Sequence, residues 1–182
     1  RGRVGEVGGG RAQRGGRCRD GGADAEDRVA ADPDVLELET LGAAEMEART
    51  APQPNAGNPG NNPRILEYLR SCGISGNLLK DETAWCAAFV NWCVLRSGYR
   101  PQGSARVSDW WGWGRPVAAT YGAICITQPL TVDQAGSGHI GFLHAMDATN
   151  VWLLSGNSKN QVRIAAYPKS KLIHNAPYRW PF

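Results

Sequence analysis

The beginning of a buried helix is indicated by the sequence Asp-Glu-Thr-Ala-Trp-Cys-Ala-Ala-Phe-Val-Asn-Trp-Cys, residues 81–93. Asp81 and Thr83 can accept hydrogen bonds from the free N–H groups of a helix start, and residues 84–95 contain no glycine or proline. Cys86 is therefore expected in the first turn, where the positive end of the helix dipole favours an anion and lowers the pKa of a thiol. The pattern predicts a helix that presents a reactive cysteine.

The cysteines of the chain also have a simpler interpretation, because free cysteine is among the most buried residue types. The five cysteines lack the C-x-x-C spacing of a metal site. A bridge between Cys86 and Cys93 is not expected, since seven residues of helix rise by about 10.5 Å. We expect free thiols, with Cys72, Cys93 and Cys125 as packing residues and with no metal or cofactor.

A base for the Cys86 thiol is found in the segment Gly-His-Ile-Gly-Phe, residues 138–142, which alternates as a strand does. This alternation places His139 and Gly141 on one face, and imidazole is the usual base for a thiol nucleophile. A surface histidine at a strand edge is an equally good explanation of the pattern. His144, on the opposite strand face, and His174, in a polar segment near the C-terminus, are weaker candidates.

The base in such a site needs a third group that orients its second ring nitrogen. Asn157 follows the next predicted strand and could reach His139 across a hairpin, although asparagine at such a position is more often a turn residue. Asp147 is the other candidate, but it lies at the far end of the histidine strand.

Several tryptophans near the predicted nucleophile are candidates for substrate contact. Trp110, Trp111 and Trp113 follow the Cys86 helix in a stretch punctuated by glycine, where they could form a stacking wall for sugar or peptide. Trp85 precedes the nucleophile and is a further candidate. Packing between helix and sheet is the commoner role for residues of this type.

The aromatic residues divide the chain into two parts, because every Trp, Tyr and Phe lies after residue 60. Residues 1–57 therefore read as a disordered or low-complexity tail, with one short helix near Val35–Arg49, and residues 58–182 as the folded catalytic domain. We hypothesise that translation begins at Met46, where the low-complexity composition ends.

The net charge is +6 in residues 61–182 and −3 in residues 1–60. A basic folded part suits a polyanionic partner, and a surface that is basic without a partner explains the charge equally well. No basic run interleaved with aromatics predicts nucleic-acid binding, and no apolar run is long enough to span a membrane. The N-terminus lacks the apolar core of a Sec signal peptide. We expect a monomer made in the cytoplasm.

The order of elements predicts an α+β fold with helices packed on one face of an antiparallel sheet. Asn62 is expected to cap a helix that has Pro63 at its first position, and Gly73 to end it. A third short helix is expected over 104–113. The predicted strands are Ala123–Thr127, His139–Ala145, Val151–Ser155 and Gln161–Ala166.

Three motifs in this order resemble the CHAP/NlpC-type superfamily of cysteine, histidine-dependent amidohydrolases and peptidases that cut peptidoglycan. They are the stretch at 81–93 that contains Trp-Cys-Ala-Ala-Phe-Val-Asn, then Ser-Gly-His-Ile-Gly-Phe at 137–142 and Leu-Leu-Ser-Gly-Asn at 153–157. The flanking Asn62–Leu69 and Tyr178–Pro181 also match the small bacterial and phage branch. The resemblance covers about residues 60–182.

The resemblance implies a papain-like core in which the nucleophile helix packs on the antiparallel sheet that carries the histidine. It implies Cys86 as nucleophile, His139 as base and Asn157 as third member, with peptidoglycan as the partner. Ser155 departs from the Glu-x-Asn that CHAP members often carry. The sequence leaves open an amidase or an endopeptidase, released by a phage or delivered by a secretion apparatus into the wall or periplasm. Another thiol acyl-transfer enzyme and a catalytically silent wall-binding module are the alternatives.

Overall fold

The computed structural model describes residues 60–128 and 138–182. The predicted tail over 1–57, its helix near Val35–Arg49, the Met46 start and Cys18 lie outside these residues. No helix within the described ranges combines the length and the apolar character needed to cross a membrane.

Helix α1 spans Pro63–Ser71 and begins as the sequence predicts. The side chain of Asn62 accepts hydrogen bonds from the N–H groups of Arg64 and Ile65, and Pro63 occupies the first turn, where a missing N–H costs nothing. Gly73 follows the helix with a φ of 73°, a conformation that glycine adopts without a steric penalty.

Helix α2 spans Cys86–Arg96, so that Cys86 is its first residue. The predicted capping by Asp81 and Thr83 is wrong, because Trp85 precedes the helix and its side chain makes no capping hydrogen bond. The Thr83 hydroxyl instead donates to the carbonyl of Leu78 at 2.7 Å. The Asp81 carboxylate accepts from the N–H of Asn62 at 2.9 Å and so joins the segment before α2 to the start of α1.

Within the described part of the chain, six antiparallel strands form one sheet in the order β1-β6-β2-β3-β4-β5. The strands are β1 (Arg115–Pro116), β2 (Ile124–Thr127), β3 (His139–Met146), β4 (Asn150–Ser155), β5 (Arg163–Pro168) and β6 (Tyr178–Trp180). The four predicted strands are confirmed with small shifts of their ends, whereas the short β1 and β6 were not predicted. The expected third helix is a short 3-10 helix over Val107–Gly112.

The two faces of the sheet carry different layers. Ile140 and Phe142 of β3 pack into the large apolar cluster that contains both helices, while Leu143 belongs to a smaller cluster with residues of β2, β4 and β5. This alternation places His139, Gly141 and Leu143 on the face turned away from α2. The predicted α+β class, with helices on an antiparallel sheet, is therefore confirmed.

Candidate active site

One cleft of about 1150 Å³ lies at the end of the sheet where β3 begins. Its lining includes Cys86 from the start of α2, His139 from the start of β3 and Asn157 from the loop after β4. Residues 104–109 form another part of the wall. The structure thus brings the three residues selected from the sequence to one open cleft, although they are far apart in the chain.

Cys86 is 7% exposed, and its thiol lies beside backbone amides of two different elements. The N–H groups of Cys86, Ala87 and Ile140 hydrogen-bond to it and favour the thiolate, but burial acts in the opposite direction and is the larger effect. Together they raise the pKa of Cys86 to about 11. The expectation of a lowered pKa is therefore wrong for the unliganded protein, because desolvation outweighs the helix start.

The His139 imidazole is held on two sides. Its Nε2 lies 2.9 Å from Oγ of Ser155, and its ring stacks on Tyr167 with 4.8 Å between centroids and 17° between planes. Burial lowers the pKa of His139 to about 4, since the charged ring would lose its hydration. The imidazole is therefore neutral at pH 7.

The thiol and the imidazole approach the cleft from opposite faces of the sheet. Across the described residues no hydrogen bond joins Cys86 to His139. The sulfur instead contacts the N–H of Ile140, which is bonded directly to the backbone of His139. The two side chains are therefore neighbours around the end of β3, each engaged with its own partners.

The hydrogen-bond partner of the imidazole is Ser155, which corrects the expectation that Asn157 holds it. Ser155 ends β4 on the same face as Leu153, whereas Asn157 lies beyond the strand with a φ of 56°. Because the chain leaves the strand after Ser155, Ser155 is the last residue that strand alternation aims at this face, and Asn157 no longer follows that pattern. Alternation in the sequence places Ser155 on the face of Leu153, but it would place Asn157 there too, so only the end of the strand distinguishes them.

Tyr167 was missed by the sequence analysis. It lies on β5 opposite Val151, and its hydroxyl donates to Oγ of Ser158 at 3.2 Å while its ring supports His139. Nothing local in the sequence around Tyr167 marks it, because its contact with His139 depends on the packing across two strand pairs.

Three of the four tryptophans considered for substrate contact are core residues. Trp85 is buried against Tyr68, and Trp110 is buried with its indole N–H donating to the carbonyl of Ser104. Trp111 is 47% exposed, but it borders a second cavity of about 650 Å³, outside the lining of the Cys86 cleft. Trp113 packs against Trp110 at 4.9 Å between ring centroids.

The remaining polar candidates lie away from the cleft. The Asp147 carboxylate accepts hydrogen bonds from the N–H groups of Thr149 and Asn150, which lower its pKa to about 2. His144 stands near Tyr121, and His174 is exposed beside the second cavity. The cysteines at 72, 86, 93 and 125 are free thiols, as predicted. Over 60–128 and 138–182, no cluster of His, Cys, Asp or Glu side chains is arranged to hold a metal ion.

Comparison of the chain with protein-family models, with curated proteins and with solved structures found no match. The function is therefore inferred from the geometry of the cleft and from the motifs of the sequence.

Proposed function

We propose that the chain is a cysteine amidohydrolase with a papain-like core that cleaves an amide bond of peptidoglycan. The observation that carries the proposal is the position of Cys86 and His139 on one cleft, with helix-start amides at the sulfur. A core cysteine would need neither an open cleft nor an imidazole nearby. The three motifs of the sequence support the wall as substrate.

The resting site holds a neutral thiol and a neutral imidazole, so His139 acts as a general base and not as half of a preformed ion pair. When Nε2–H donates to Ser155, Nδ1 keeps the lone pair that accepts the proton of Cys86. Catalytic hydrogen bonds often shorten only when substrate is bound, so we expect the hydrogen bond between Cys86 and Nδ1 of His139 to form in the complex with substrate.

The sulfur then attacks the carbonyl carbon of the amide, and the negative charge moves to the carbonyl oxygen. The N–H groups of Cys86 and Ala87 have no partner within the helix, and we propose that they turn from the sulfur to this oxyanion as it forms. His139 returns its proton to the leaving nitrogen as the C–N bond breaks. Water then attacks the thioester, gives a proton to His139 and releases the acid and the Cys86 thiol.

The test is digestion of purified wall by the natural protein and by Cys86→Ala, with the released muropeptides identified by mass spectrometry. We expect the natural protein to release fragments with a new amine and a new carboxylate, and the variant to release none while keeping its fold. Wall solubilised equally by Cys86→Ala contradicts the proposal. An added amine that captures the acyl group in place of water would show a transamidase.

A further inference from the structure

The loop after β4 carries an unusual cluster of backbone conformations at the edge of the cleft. Asn157, Lys159 and Asn160 have φ values of 56°, 54° and 57°. Asparagine tolerates this left-handed region, but for lysine it is strained, and glycine or asparagine would occupy it at lower cost. Strained backbone conformations of this kind cluster at sites that bind ligands or carry out catalysis.

Hydrogen bonds within the loop and to Tyr167 hold the same loop in place. Ser158 and Gln161 exchange backbone hydrogen bonds of 3.0 and 3.2 Å, and the buried Ser158 is held by the Tyr167 hydroxyl. Lys159, between these anchors, lines the cleft and has an exposed side chain. Its cationic side chain is therefore attached to the rim at a defined point.

A second cation lines the same cleft from a different segment. Arg106 precedes the short 3-10 helix, and its N–H donates to Oγ of Ser104 at 3.1 Å. Asp109, the acidic residue of this wall, already accepts a hydrogen bond from the Ser104 hydroxyl at 2.6 Å. Over the described ranges, neither Lys159 nor Arg106 forms an ion pair, so both charges remain available to a ligand.

We propose that Lys159 and Arg106 form a carboxylate-binding subsite, so that the preferred substrate is an acidic peptide with a free carboxylate near the amide that is cleaved. Ammonium and guanidinium groups are the natural partners of a carboxylate, and Lys159 and Arg106 line the same cleft as Cys86 and His139. The inference rests on the proposed hydrolase and adds the charge of its substrate.

The test uses one muropeptide in two forms, with its carboxylates free or converted to carboxamides. We expect the natural protein to cleave the free acid about two- to fivefold faster in kcat/KM, the size of effect that exposed ion pairs give. Lys159→Asn, which suits the left-handed backbone and removes the charge, should lose most of this preference. Lys159→Arg should keep it, and Lys169→Asn, which changes a lysine outside the cleft, should leave it intact.

Binding to Cys86→Ala, measured by calorimetry with the same two muropeptides, separates the subsite from catalysis. Tighter binding of the free acid, reduced by adding Lys159→Asn or Arg106→Gln, supports the subsite even if no cleavage is found, an outcome that would count against the hydrolase alone. Equal cleavage and equal binding of the two forms, or a preference that survives loss of both cations, overturns the carboxylate subsite and leaves the hydrolase proposal standing.

Discussion

The two faces of the sheet are covered by different kinds of side chains. The face that receives α2 is covered by interlocked large rings: Tyr68 contacts Trp85, Phe89 and Trp92 at 5.8, 5.5 and 5.4 Å between centroids. The opposite face has a small apolar cluster, beside which His139, Ser155, Ser158 and Tyr167 form a chain of polar and stacking contacts.

This difference indicates a division of labour. The ring layer holds the helix that carries Cys86 and excludes water from the sulfur, while the polar layer orients the imidazole. Both layers disfavour charge, which raises the pKa of the thiol and lowers the pKa of the imidazole. In the proposed mechanism, this neutral pair exchanges a proton when substrate binds.

The largest expected effect on stability comes from adding a Cβ at Gly156, where the loop after β4 meets the ring layer. A Cβ added at Gly156 would lie 2.5 Å from Cβ of Phe89 and 2.6 Å from the Trp85 ring. We expect Gly156→Ala to lower the free energy of unfolding by about 3 kcal/mol or more, because neither neighbour can move without disturbing the core. Urea denaturation followed by tryptophan fluorescence measures it. Gly112→Ala, where an added Cβ meets nothing within 4 Å, is the matched control.

The second largest expected effect is on the pH dependence of stability. It arises because His139 is buried in its neutral form. The unfolded chain protonates His139 near its ordinary pKa of 6.5, whereas the folded protein does so only near 4, so stability falls as pH drops from about 6.5 to 4. We expect a loss on the order of 2 kcal/mol, discounted because the side chain retains some exposure. Urea titrations at several pH values should show this slope, and His139→Gln should flatten it. Equal slopes in the two proteins would contradict a buried neutral imidazole.

A smaller effect distinguishes Ser155 from Asn157 as the residue that orients the imidazole. Ser155→Ala removes the hydroxyl at Nε2 and should lower kcat about fivefold on wall substrate, with little change in KM, since hydrogen bonds of this kind are worth about 1 kcal/mol. Asn157→Ala should reduce kcat less. A larger loss in Asn157→Ala would return Asn157 to the orienting role.

The smallest expected effect concerns the hydrogen bond between the hydroxyl groups of Tyr167 and Ser158. Tyr167→Phe keeps the ring under His139 and removes the hydroxyl that donates to Ser158. We expect a loss of about 1 kcal/mol in stability and only a two- to threefold change in kcat. Tyr167→Leu, which removes the ring as well, should lower kcat further. Equal kcat values in the two variants would show that the stack does not position the histidine.

Much of the fold could be predicted because it follows from local patterns. The cap and proline at the start of α1, the uninterrupted run of α2 and the alternation of β3 are properties of neighbouring residues, and the structure has all three elements. The selection of Cys86 and His139 also came from local context, and both side chains reach one cleft.

The protonation of Cys86 and the side-chain contacts of His139 depend on residues that are far apart in the sequence. Burial by distant segments reverses the expected pKa shift of Cys86, and it removes Trp85 and Trp110 from any contact with a substrate. Strand pairing selects Ser155 over Asn157 and brings Tyr167 under the imidazole. Desolvation and side-chain contacts depend on what packs against a group in three dimensions, so only the tertiary structure decides them, whereas helix caps and strand alternation are already determined by the order of the residues.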